Sequence, residues 1–145
     1  LDAARKALIL ARELGMRATL EAVDVTPLVP HELLAERDLG RFFARLQRHD
    51  AGVGAELEQL RARGLVRRYL AQIDPGAGTI RVGPVDVELD HPATRLRGSE
   101  AFVAFSTARY GDRPLVVQGA GAGGAVTAAG VLADVLSIAQ ALRGR

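Results

Sequence analysis

The sequence predicts an α+β fold, a mixed, largely antiparallel sheet covered by helices and closed by a C-terminal helix. Three observations predict it. Apolar residues recur at helical spacing near both ends of the chain. The period changes to a strand-like pattern after Gly64. Turn signals, Asp74-Pro75-Gly76 and Gly111-Asp112-Arg113-Pro114, then punctuate the strands.

Residues 2–14 read as an amphipathic helix. Ala3, Ala7, Leu10 and Leu14 form its stripe, Leu8 and Ala11 widen it, and Gly15 stands where a helix stops. Residues 19–29 are rich in Val, Thr and Leu and read as an extended segment or edge strand, ended by Pro27 and Pro30. Residues 31–49 read as one or two short helices. A break is expected at residues 50–54, where two glycines stand, and a further helix at 55–63 before Gly64. Strands are expected at 66–73 and 79–82, with 85–89 as a third strand or a continuation. Two more are expected at 102–107 and 115–118, and a closing helix at 126–142.

Composition narrows the class. The chain has 145 residues, 48% apolar and 25% charged, as in a globular domain. Without cysteine there is no disulfide framework. Net charge is only +2 and aromatics are 4%, so the basic, aromatic-studded footprint of a nucleic-acid binder is missing. No apolar run reaches the ~20 residues of a spanning helix, so a membrane role is set aside as well. The chain opens at Leu1, directly in a helical pattern, and the expectation is that an N-terminal part is absent.

Two groups of residues invite chemistry. The 19 basic residues are eighteen Arg and one Lys, Lys6. Lysine can change protonation when desolvated, whereas arginine stays charged. Asp2 lies four residues before Lys6, on the same helix face. The pair suits either an exposed ion pair or a carboxylate for a substrate ammonium beside a general acid. Spacing alone leaves both open.

The second group is the run Gly119-Ala120-Gly121-Ala122-Gly123-Gly124, between a strand and a helix. It satisfies G-x-G-x-x-G formally, but a dinucleotide fingerprint needs a second strand with an acidic residue ~20 residues on, and the chain ends too soon. Close approach of backbone to a ligand and tight internal packing remain the two uses of such glycines. His31, His49 and His91 have no metal-ligand spacing, so no metal site is expected within the chain. Ser106 and Ser137 have no visible base, so nucleophilic catalysis lacks support.

The tail PLVVQGAGAGGAVTAAGVLADVLSIAQAL, residues 114–142, closely resembles the C-terminal signature of homoserine dehydrogenases. The opening LDAARKALILAREL resembles that family's D-x-A-R-K helix, with Ala3 where Val is usual. FVAFSTARYGDRPLVV fits as well, while residues 26–64 are the variable part.

The resemblance implies a reaction interconverting L-homoserine and L-aspartate 4-semialdehyde with NAD or NADP, in threonine, methionine and isoleucine biosynthesis. It implies that Asp2 binds substrate, Lys6 donates the proton and Gly123 touches the cofactor. It further implies a cytoplasmic homodimer. Residues 1–122 would be the substrate-binding and dimerisation domain. Residues 123–145 would form a helical segment returning to a nucleotide-binding Rossmann domain that the chain lacks. That domain would carry most of the cofactor site, a second catalytic lysine and a monovalent-cation site, so the isolated chain is expected to be inactive. The closing helix should then present an uncovered apolar face of Val126, Gly130, Ala133 and Leu136. A non-catalytic oligomerisation or small-ligand-binding module with the same fold is the alternative, in which strands 66–73, 79–82 and 102–107 would be available for pairing across a two-fold. Cofactor preference, fusion to an aspartate kinase and feedback by threonine stay open.

Overall fold

The computed structural model describes residues 1–143. Gly144 and Arg145, the end of the expected 123–145 segment, lie outside the described residues. The chain divides into two compact units, Leu1–Leu89 and Asp90–Arg145.

In the first unit, α1 (Asp2–Glu13) packs against a three-stranded sheet. Its sequence favours helix through Ala, Leu, Arg and Glu. The chain stops it with Gly15 at φ +86, a backbone conformation that suits glycine. The Gly15 N–H donates to the Arg12 carbonyl and the Met16 N–H to the Ala11 carbonyl, the paired bonds of a Schellman stop. The buried face is Ala4, Ala7, Leu8 and Ala11, set against Val23, Ile80 and Val82. Leu10 and Leu14, expected in the stripe, are exposed. Three alanines let the helix lie close on the sheet, and that closeness rotates the larger leucines away from it.

The sheet has the order β1-β3-β2, with β1 (Asp24–Val25), β2 (Leu65–Asp74) and β3 (Thr79–Glu88). β2 and β3 form a ten-residue antiparallel hairpin from Leu65↔Glu88 to Asp74↔Thr79. The Asp74 carboxylate accepts the Ala77 N–H inside the turn, a local bond that favours chain reversal. β1 pairs parallel to β3 through Asp24↔Arg81 and Val25↔Val82. The extended segment at 19–29 is thus reduced to a two-residue edge strand, preceded by a 3₁₀ turn at Leu20–Ala22. β3 is one strand through Gly83 and Pro84. β1 has stopped pairing by then, so Pro84 sits where β3 has an open edge, a position that tolerates a missing N–H.

α2 (Leu39–Leu46) begins at Asp38, whose Oδ1 accepts the Arg41 N–H at 2.7 Å. A 3₁₀ turn, Gln47–His49, leads directly into α3 (Asp50–Ala62). The break expected at 50–54 does not exist, because α3 runs through Gly52 and Gly54. Each glycine costs a helix only about 1 kcal/mol relative to alanine. Burial of Leu60 and an ion pair from Glu56 to Arg67 of β2 anchor the helix downstream.

In the second unit, β4 (Glu100–Phe105) and β5 (Leu115–Ala120) pair antiparallel from Glu100↔Ala120 to Phe105↔Leu115. His91 organises the entry: its Nδ1 accepts the Ala93 N–H, and its ring meets Phe102 edge to face at 6.0 Å. α4 (Gly124–Arg143) closes the chain with twenty residues, none buried. The fold class is the one predicted, with the strands distributed over two sheets.

The apolar residues of α4 are not confined to the expected face. Val126, Val131, Leu132, Val135, Leu136, Ile138 and Leu142 are all exposed, and at 100° per residue they encircle the helix. By length and composition, with a mean hydropathy of 1.7, α4 matches a membrane-crossing helix. The chain thus holds one stretch of spanning length, against the expectation that none reaches it. Thr127, Asp134, Ser137 and Gln140 interrupt the run without lowering its mean enough.

Candidate functional site

Asp2 opens α1 and Lys6 stands one turn further on. The structure brings the two together: Lys6 Nζ lies 2.9 Å from Asp2 Oδ2. Side chains on a helix lean toward its N-terminus, so the ammonium at position 6 reaches back to the carboxylate at position 2. The hydrogen bond from Lys6, then its charge, hold the Asp2 carboxyl below the usual carboxylate range. Asp2 also sits in the first turn of α1, where a negative charge is favoured by the helix dipole. Both side chains are open to solvent, 81% for Asp2 and 74% for Lys6. The described residues of this chain therefore supply the pair and its orientation, and no enclosure around it.

The glycine run resolves into separate roles. Gly121 is a packing glycine: a Cβ there would lie 2.7 Å from the Ala101 methyl and 3.2 Å from the Ser99 carbonyl oxygen. The Gly121 N–H donates to that same Ser99 carbonyl, and Ser99 Oγ donates to the Ala122 carbonyl. These bonds fasten the end of β5 to the residues before β4. Gly123 is different. It has φ +134, with open space where a Cβ would be. Its carbonyl accepts the Thr127 N–H, the first bond of α4. Gly123 thus turns the chain from β5 into α4 and leaves bare backbone at the helix start, where N–H groups lack intrahelical partners. Gly119 and Gly124 have neither a neighbour nor a positive φ to require glycine.

Other polar contacts hold the elements of each unit together. Arg67 binds Asp86 across the hairpin with Nε–Oδ1 at 2.7 Å and Nη2–Oδ2 at 3.1 Å. Its Nη1 reaches Glu56 of α3 at 2.7 Å. The guanidinium holds the Asp86 carboxyl below its ordinary range. Sequence reading missed this triad, whose signal lies in the register Arg67↔Asp86 that only the hairpin defines. His49 stands 3.4 Å from Glu32, and His91 caps the 3₁₀ turn Pro92–Thr94. An open cavity of about 290 Å³ is lined by residues 25–31, none of them in α1 or the glycine run. Among the described residues no group of three or more His, Asp and Glu is placed to hold a metal ion.

A helix that presents a carboxylate and a lysine, a three-stranded sheet built on one long hairpin, and a strand–glycine–helix closure make up the outline of this chain. Comparison with known proteins gives this outline a family. The sequence model of homoserine dehydrogenase matches residues 1–136, and the chain belongs to that family. It is 38% identical over 143 residues to the homoserine dehydrogenase of Paracoccidioides brasiliensis, covering 98% of this chain and 38% of that protein. It is also 38% identical over 141 residues to the chloroplastic bifunctional aspartokinase/homoserine dehydrogenase 1 of Arabidopsis thaliana, covering 95% of this chain and 15% of that protein. A crystal structure of a Candida auris protein of unknown function superposes with a TM-score of 0.84 at 38% identity, over 94% of this chain and 38% of that one. The chain thus spans well under half the length of these relatives.

Proposed function

We propose that this chain supplies the substrate-binding and proton-donating part of a homoserine dehydrogenase, and that the parent protein interconverts L-homoserine and L-aspartate 4-semialdehyde with NAD or NADP. The observation that carries this reading is the 2.9 Å contact between Asp2 and Lys6 at the exposed start of α1. The polypeptide that holds most of the nucleotide, with the second lysine and the monovalent cation site, lies outside the residues of this chain.

The nicotinamide supplies or accepts the hydride when it is bound. In the reducing direction, hydride reaches the aldehyde carbon and negative charge develops on its oxygen. Lys6 Nζ–H donates the proton that converts this oxygen to the hydroxyl of homoserine, and the neutral lysine then regains a proton from solvent. Asp2 is ionised at neutral pH as an ordinary carboxyl is, and Lys6 holds its carboxyl lower still. It orients Lys6 and offers an acceptor to the ammonium of the amino acid. Gly123 fits a cofactor contact in one respect: its backbone is bare where a side chain would otherwise stand, at the start of α4.

The test is Lys6→Arg in the full-length protein. Arginine keeps the charge and releases no proton near neutral pH. Aldehyde reduction should fall by about 10²–10⁴ with circular dichroism unchanged. Undiminished turnover would remove the proton-donor role.

The exposed side of the β4–β5 ribbon supports a second, compatible role as a homodimer contact. Val103 and Val117 pair across the strands, as do Phe105 and Leu115, and all four are exposed. A two-stranded ribbon is marginal alone and gains from a neighbour. Sedimentation of the full-length protein across a concentration series reads this directly.

A further inference from the structure

The outward face of α1 is not a normal solvent face. At 100° per residue, positions 2, 6, 9 and 13 lie within about 30° of the direction opposite the buried Ala4, Ala7, Leu8 and Ala11. An amphipathic helix places polar residues there. Asp2, Lys6 and Glu13 comply, but Ile9 stands among them, 58% exposed. Leu10 flanks it at 47%. All these side chains are open, so among the described residues no other element covers this face.

Ile9 and Leu10 occupy i+3 and i+4 relative to Lys6. Because helical side chains lean toward the N-terminus, both cover the turn that carries Lys6. Lys6 is therefore bracketed along the helix, by a carboxylate at i−4 and by two branched apolar side chains at i+3 and i+4. We propose that Ile9 is a positioning residue for Lys6. With Leu10 it forms the apolar side of the lysine's setting, confines the stem toward Asp2 and excludes water from the ammonium once the nucleotide-bearing part of the parent covers this face. The inference rests on Lys6 being the proton donor. Polypeptide for the cover exists in the relatives, since this chain spans only 38% of the Paracoccidioides brasiliensis protein.

The charged group in contact with Lys6 is Asp2, on which Arg5 and the amino group of Leu1 also act. Ile9→Gln is the informative variant in the full-length protein, because glutamine suits a helix at least as well as isoleucine and position 9 is outside the core.

The expected result is a kcat for aldehyde reduction reduced about tenfold, with KM for the aldehyde within about twofold. Ile9→Leu should restore kcat. Thermal melting checks that the fold is intact. If Ile9→Gln keeps the wild-type kcat, or raises KM for the aldehyde as much as it lowers kcat, while Lys6→Ala is inactive, the positioning role is overturned and the proton-donor reading stands. If Lys6→Ala retains full activity, that reading falls and the inference with it.

Discussion

Gly121 passes so close to Ala101 that a Cβ on the glycine would meet the alanine methyl at 2.7 Å, and the carbonyl of Ser99 closes the same space at 3.2 Å. The close pair lies between the end of β5 and the start of β4. Gly121→Ala should cost about 1–3 kcal/mol, because a methyl group forced into filled space displaces backbone. Gly119→Ala, two residues earlier, meets nothing within 4 Å and should be nearly neutral for folding. Denaturant titration of the two variants side by side checks the contrast.

Gly123→Ala should act through conformation. At φ +134 an alanine is strained by about 1–3 kcal/mol, and the chain would relax by turning the start of α4. In the full-length protein the expected signature is a raised KM for the nicotinamide cofactor with KM for homoserine little changed. Initial-rate kinetics with each substrate varied in turn separates the two.

Asp2→Asn keeps the shape of the side chain and removes its charge. The variant should raise KM for homoserine by about ten- to a hundredfold, the scale of losing a hydrogen bond to a charged group. A homoserine analogue lacking the amino group should be much less sensitive to the change. Comparing the two compounds on wild type and variant tests whether the carboxylate meets an ammonium.

Asp86 gives the fold a defined response to acid. Its carboxyl is held low by Arg67, so the folded state favours the ionised form more than the unfolded chain does. That contribution is present above the unfolded carboxyl's pKa of about 4 and is lost as pH falls through the lower folded value. Asp86→Asn should be less stable at neutral pH and should lose stability less steeply between about pH 4 and pH 2. Melting temperatures across that range read the slope.

Much of the fold was legible because it follows from local chemistry. The Asp74–Gly78 turn, the hairpin around it and the helix stop at Gly15 are written in residues that have few other uses. Three features were not legible. The face that α1 buries depends on how closely it approaches the sheet, which selects Ala4, Ala7 and Ala11 over Leu10 and Leu14. Continuity of α3 through Gly52 and Gly54 depends on anchors further along, Leu60 and Glu56. Continuity of β3 through Pro84 depends on where β1 ends, a matter of a distant partner strand. The Asp2–Lys6 contact was readable from a spacing of four. The enclosure around it was not, because no described residue of the chain forms it.

The absence of any buried side chain on α4 has a practical consequence. A polypeptide made of these residues alone would carry into water a rod about 30 Å long with aliphatic groups on every side. Such a rod adsorbs to resins, inserts into micelles and clumps with its copies. Recombinant material of this length should therefore run heterogeneously on gel filtration and sharpen when a mild detergent is added.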